Sequence, residues 1–151
     1  MTISFVGHAF IPSEELVKNR VKDVIRANVK KDDPVRFYLG GYGDFDKISA
    51  LCCKDLKNEL SDVEIILVIP YLSFSKDGKI GSLIEDGAYD TTLFPPIENV
   101  PKRFAISRRN EWMIENSDLI IAFVKNSYGG AFKTLTFAKR RKKKIINLCD
   151  E

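Results

Sequence analysis

VRFYLGGYGDFD, residues Val35–Asp46, contains the transition that decides the fold. Val35 to Leu39 is a short apolar strand, and Gly40-Gly41-Tyr42-Gly43 breaks it. Asp44-Phe45-Asp46 then opens a helix, because apolar Ile48, Leu51, Cys52 and Leu56 recur at spacings of three and four. Strand, glycine turn and helix together aim backbone N–H groups and the positive end of a helix dipole at an anion. Glycine suits such a turn because it reaches positive φ and lets a ligand approach the backbone. The spacing G-G-x-G matches neither the dinucleotide fingerprint nor a P-loop, so an anion cradle and a plain βα turn both remain open.

Similar elements flank this stretch. On its N-terminal side Thr2–Val6 is an apolar strand ending at Gly7-His8. Pro12-Ser13-Glu14-Glu15 resembles a helix start, and Leu16, Val17, Val21, Val24 and Ile25 supply an apolar face to about Asn28. On its C-terminal side Val63–Ile69 is a third strand, stopped by Pro70. From Tyr71 to Pro101 the periodicity lapses among glycines, prolines and aromatics. A stretch of that length points to a functional loop or lid, with a short helix expected around Ile80–Glu85. Regularity returns with a helix over Phe104–Asn116, which carries Arg108, Arg109 and Asn110. A fourth strand, Asp118–Val124, runs into a second glycine turn, Ser127-Tyr128-Gly129-Gly130. A helix from about Ala131 to Arg141 and a last strand, Lys144–Leu148, follow.

Strands alternating with helices predict an α/β fold: a doubly wound, mainly parallel, Rossmann-like sheet, with residues 1–151 as a single domain. In such sheets ligands bind beyond the carboxyl ends of the strands. Gly7-His8, Gly40–Asp46, Tyr71 and Ser127–Gly130 all follow strand ends, so four turns converge on one edge.

Composition removes other classes. With 44% hydrophobic and 30% charged residues, neither a disordered nor a membrane protein is expected. The longest apolar run, Ile65–Pro70, is far too short to span a bilayer. No basic leader precedes the first strand, so a cytoplasmic location is expected. Cys52, Cys53 and Cys149 suggest neither a disulfide framework nor a zinc site, and no metal or cofactor is expected. A net charge of +3 is too small to imply nucleic acid without a concentrated patch.

Three runs resemble a known family: ISFVGHA near the N-terminus, FYLGGYGDFD, and YDTTLFPPIENVPKRFAISRRNEWMIENSDLIIAFVKNSYGGAFKT. Together they resemble the SLOG superfamily of Rossmann-like proteins, and within it the short YpsA-like or DUF1273 type. That superfamily also includes LONELY GUY phosphoribohydrolases, DNA-processing protein A and ligand-sensing domains of bacterial immunity effectors. The resemblance implies a nucleotide-derived ligand held by the glycine turns and by the helix before the fourth strand. The phosphoribohydrolases carry a PGGxGTxxE turn whose Glu takes part in cleavage. Here Thr136 or Phe137 stands at that place, so the resemblance implies binding without that chemistry. The TGHR of many YpsA-like proteins is Val6-Gly7-His8-Ala9 here and lacks the Arg.

The candidate ligand-binding residues are therefore Gly7, His8, Gly40, Gly41, Tyr42, Gly43, Asp44, Asp46, Tyr71, Arg108, Arg109, Asn110, Tyr128, Gly129, Gly130 and Thr134. Adjacent arginines diverge by about 100° on a helix, so at most one of Arg108 and Arg109 faces the cleft with its phosphate-matching fork. One of Asp44 and Asp46 is expected to cap the helix, the other to meet a sugar hydroxyl. His8, the lone histidine, reads as a hydrogen-bonded strand-end residue. The expected function is binding of a nucleotide or an ADP-ribose-like messenger as a sensor or sequestering module, with homo-oligomerisation open. The alternative is an N-glycosidic hydrolase or transferase using Asp44, Asp46, Glu85 or Glu111. The basic run Lys139–Lys144 would support nucleic-acid binding, which is not expected because no aromatics interleave it.

Overall fold

A computed structural model describes residues 1–76 and 84–150. Six parallel strands form one sheet: β1 (Thr2–Gly7), β2 (Val35–Leu39), β3 (Val63–Val68), β4 (Thr91–Leu93), β5 (Leu119–Phe123) and β6 (Lys144–Asn147). Their order is β4-β3-β2-β1-β5-β6. Among the described residues four α-helices connect them: α1 (Glu14–Asn28), α2 (Asp44–Leu56), α3 (Lys102–Glu115) and α4 (Gly130–Arg140). A 3₁₀ turn, Leu72–Lys76, follows β3.

Strand alternation divides the core into two layers. Ile3, Phe5, Phe37, Leu39, Ile65, Leu67, Leu119 and Ile121 face one side and pack on Val17, Val21 and Ile25 of α1 and on Phe45, Ile48, Cys52 and Leu56 of α2. The residues between them face the other side: Val6, Ile120 and Ala122 meet Ile114, Leu135 and Ala138. Tyr38, Ile66 and Val68 meet Met113. Burial on both faces explains why β2, β3 and β5 read as mainly apolar runs, with Arg36 of β2 and Glu64 of β3 as the exposed exceptions. An ion pair ties α1 to α2, with Lys22 Nζ 2.8 Å from Asp55, and Arg26 forks onto Glu59 in the turn after α2 at 2.7 and 2.8 Å.

The fold class stands as read from the sequence, with differences in detail. Leu16 and Leu51, expected on buried helix faces, are exposed. β4 was not expected. It is three residues long and mostly exposed, and it is started by Asp90, which exchanges two 2.8 Å bonds with Ile65. The expected helix around Ile80–Glu85 lies outside the described residues, apart from the helical Ile84 and Glu85.

The chain builds outward from β1 through β2, β3 and β4, then crosses back to β5 and β6. The order therefore reverses between β1 and β5. Loops leaving those two strands separate there and leave a crevice.

Candidate functional site

A cavity of about 350 Å³ occupies that crevice. Gly7, His8 and Ala9 line it from the end of β1, Tyr42 and Asp46 from the β2–α2 turn, and Asn126 and Tyr128–Ala131 from the β5–α4 turn. Ile106, Arg109, Asn110, Met113 and Ile114 of α3 form its wall, with Thr134 of α4.

Arg109 sets the electrostatics. It sits on the inward stripe of α3, four residues after Ala105 and four before Met113, where an apolar side chain would be expected, and is 2% exposed. Nη1 donates to Gly40 O at 2.9 Å and Val68 O at 2.7 Å, and Nε donates to Asn110 Oδ1 at 2.8 Å. Those carbonyls are the chain ends of β2 and β3, so the guanidinium ties both strands to α3. Nη2 has no hydrogen-bond partner among the described residues. Burial lowers the guanidinium to about 10, so it remains cationic at neutral pH.

Gly40 makes room for this group. A Cβ there would lie 3.0 Å from Arg109 Cζ and Nη2 and 3.3 Å from Asp46 Oδ2. Asp46 as a residue is half-buried, but its carboxyl is enclosed, and Oδ2 accepts from Tyr42 N–H at 3.1 Å. Desolvation pushes that carboxyl up to about 6, against the lowering pull of the Tyr42 N–H and Arg109.

The two glycine turns look alike in sequence but differ in the structure. At α2, Asp44 N–H donates to Ala9 O at 2.9 Å and Phe45 N–H to His8 O at 3.4 Å. The Asp44 carboxylate accepts from Ile11 N–H at 3.0 Å. Gly43 has φ 88° and no room for a Cβ, which would come 2.7 Å from Ala9 Cα. This end is closed by the chain itself. At α4 the first helical bond is Lys133 N–H to Gly129 O at 3.1 Å, and the N–H groups of Gly130, Ala131 and Phe132 have no partner among the described residues. The first turn of α4 contains no acidic residue, and nothing would crowd a Cβ on Gly129 or Gly130. Free N–H groups at a positive dipole end are an anion site in waiting.

The other candidates distribute as follows. His8 Nε2 accepts from Lys125 and Asn126 N–H at 2.8 and 3.2 Å, fixing the loop before the α4 turn and leaving Nδ1 as the protonated nitrogen. Tyr42 and Tyr128, 70% and 73% exposed, rim the cavity from opposite turns. Thr134 Oγ1 donates to Gly130 O at 3.0 Å. Arg108 points away, exposed and 3.9 Å from Glu111, in an outer groove with Trp112, Phe137 and Arg141. Tyr71 lies outside the cavity beneath Lys102 Nζ, 4.7 Å from the ring centre, and against Phe74. Gly40, Gly41, Gly43 and Asp44 also lie outside the lining. Sequence reasoning missed Ala131, Asn126 and the apolar wall of Ile106 and Met113. Helical spacing from Arg109 would have found that wall.

In the basic run, Lys143 Nζ donates to Glu115 O and Ser117 O, Lys144 Nζ to Asn28 Oδ1, and Arg141 pairs with Glu115. Among the described residues no cluster of His, Cys, Asp and Glu could hold a metal ion, and no helix is long and apolar enough to cross a membrane.

No protein-family model matches this chain. It is 26% identical over 145 residues to the uncharacterized SPbeta prophage-derived protein YoqJ of Bacillus subtilis (strain 168), covering 85% of this chain and 84% of that protein. Among solved structures it is similar to DNA processing protein A from Helicobacter pylori, described for its single-stranded DNA binding mode. There the TM-score is 0.63 with 17% identity, over 100% of this chain and 67% of the other. The likeness is one of fold. It places the chain among Rossmann-like proteins.

Proposed function

We propose that this chain is a SLOG-type module of the YpsA-like kind that binds a nucleotide or nucleotide-derived small molecule in the β1/β5 crevice. The observation that supports it best is that Gly130 and Ala131, with open N–H groups at the start of α4, and the buried cation Arg109 line one cavity. At about 350 Å³ that cavity falls at the small end of the roughly 300–1,000 Å³ range of ligand pockets. Phosphate would lie at the α4 N-terminus, within reach of Arg109 Nη2. Tyr42 or Tyr128 would stack on the base, and the apolar wall would flank the sugar. With no Glu in the α4 turn, the module acts as a sensor or sequestering protein.

Isothermal titration against a panel of ribonucleotides and ADP-ribose derivatives tests this. A dissociation constant below about 100 μM (roughly −5.5 kcal/mol) is expected for at least one, and none that tight counts against it. Analysing the nucleotide afterwards covers the hydrolase alternative. Asp46 is the acid among its four candidates that lines the cavity, so any base release should vanish in Asp46→Asn.

Single-stranded DNA binding is a second reading, supported by the DNA processing protein A neighbour. A strand phosphate would use the same N–H groups, whereas half of the basic run is engaged on the chain itself. Affinity falling steeply between about 50 and 200 mM salt would favour it.

A further inference from the structure

A carboxyl group intrudes on an otherwise anion-attracting cavity. Asp46 and Arg109 both crowd the point where a Cβ on Gly40 would stand, yet they do not bond: Asp46 accepts from Tyr42 N–H, and the donors of Arg109 go to Gly40, Val68 and Asn110. Both side chains line the cavity, so a ligand oxygen that Arg109 attracts there meets the Asp46 carboxyl as well. Other titratable groups near Asp46 are Tyr89, ahead of β4, and His8, which lines the cavity at the end of β1; Cys53 lies further along α2, beside Tyr89. Arg109 is the cation among them. An ionised Asp46 would repel a phosphate held by Arg109 and α4, whereas a protonated one donates a hydrogen bond to it.

We propose that Asp46 shares a proton with the bound phosphate, so that the cavity selects a terminal phosphate monoester over a phosphodiester. This rests on the nucleotide reading of the cavity and narrows it. A proton is shared best between groups of similar proton affinity. A phosphate monoester loses its second proton at pH ~6, and the Asp46 carboxyl sits at about 6. A phosphodiester has no second ionisation and is a weaker acceptor. The closed α2 turn adds that the cavity offers one helix N-terminus, so a pyrophosphate bridging both glycine turns finds only half a site.

The test is calorimetric titration of the full chain with the four ribonucleoside 5′-monophosphates and their phosphate methyl esters, in two buffers of different ionisation enthalpy. At pH 7.5 the best monophosphate should bind with uptake of about one proton, and affinity should fall about tenfold per pH unit from 7 to 8.5. Its methyl ester should bind at least about tenfold more weakly. Asp46→Asn should abolish the uptake and bring the two affinities together. If that variant does not fold, proton count and pH slope on the unaltered chain decide. A monophosphate that binds without proton uptake, or as tightly as its ester, overturns the proposal. No binding by any monophosphate at pH 6 overturns this inference, whereas the nucleotide reading itself falls only if the wider panel of ribonucleotides and ADP-ribose derivatives also fails to bind.

Discussion

Asp46 and Arg109 are where the chain departs from what its own core would prefer. A carboxyl raised from 3.8 to about 6 binds its proton more tightly in the folded state than in the unfolded one. Its contribution is therefore present below pH 4 and is lost as pH rises through 6. Asp46→Asn keeps the shape and removes that loss. It should stabilise the unliganded protein by about 1–3 kcal/mol at pH 7.5 and leave it unchanged at pH 4, measured by urea denaturation. Arg109→Leu works in the opposite direction: it strips the donor from Gly40 O and Val68 O, two buried carbonyls. A loss of about 3 kcal/mol is expected.

At the scale of elements, the N-termini of α2 and α4 are alike in sequence and opposite in use. Both follow a strand and a glycine of φ near 90°. One is filled by carbonyls of the β1–α1 loop, the other is open. Gly130→Asp places a carboxylate at the open end, where nothing crowds it. Nucleotide binding should weaken at least about tenfold, while the melting temperature holds or rises, since an acid in the first turn suits the dipole. Gly7 shows the packing side of the same region. A Cβ there would come 2.3 Å from the Phe45 ring, so Gly7→Ala should cost about 1–3 kcal/mol by forcing α2 off β1, read from thermal melts.

Viewed as a whole molecule, the parallel sheet was legible because β2, β3 and β5 are short, mainly apolar runs, broken only by Arg36 and Glu64, and separated by helical spacings. β4 was not, because Thr91, Thr92 and Leu93 form a short, mostly exposed edge held by Asp90, with no periodicity to betray it. The convergence of turns was legible from their position after strand ends. Which turn stays open was not, since the plug at α2 comes from His8 and Ala9, more than thirty residues away in sequence. Likewise the RRN motif announced that one arginine faces inward, but a pair alone does not reveal which. The answer lies in the spacing of Ala105, Arg109 and Met113, read as an inward stripe.

On the proposed reading one crevice, between β1 and β5, holds a phosphate through the start of α4 and the Arg109 side chain. Titrating isotope-labelled protein with a ribonucleoside 5′-monophosphate while recording backbone amide and Arg side-chain resonances tests it most directly. The largest shifts should fall on the Gly130, Ala131 and Phe132 amides and on the Arg109 guanidinium, with Asp44 and Phe45 little moved. Shifts centred instead on the α2 amides, or on the outer groove around Arg108 and Arg141, would contradict it.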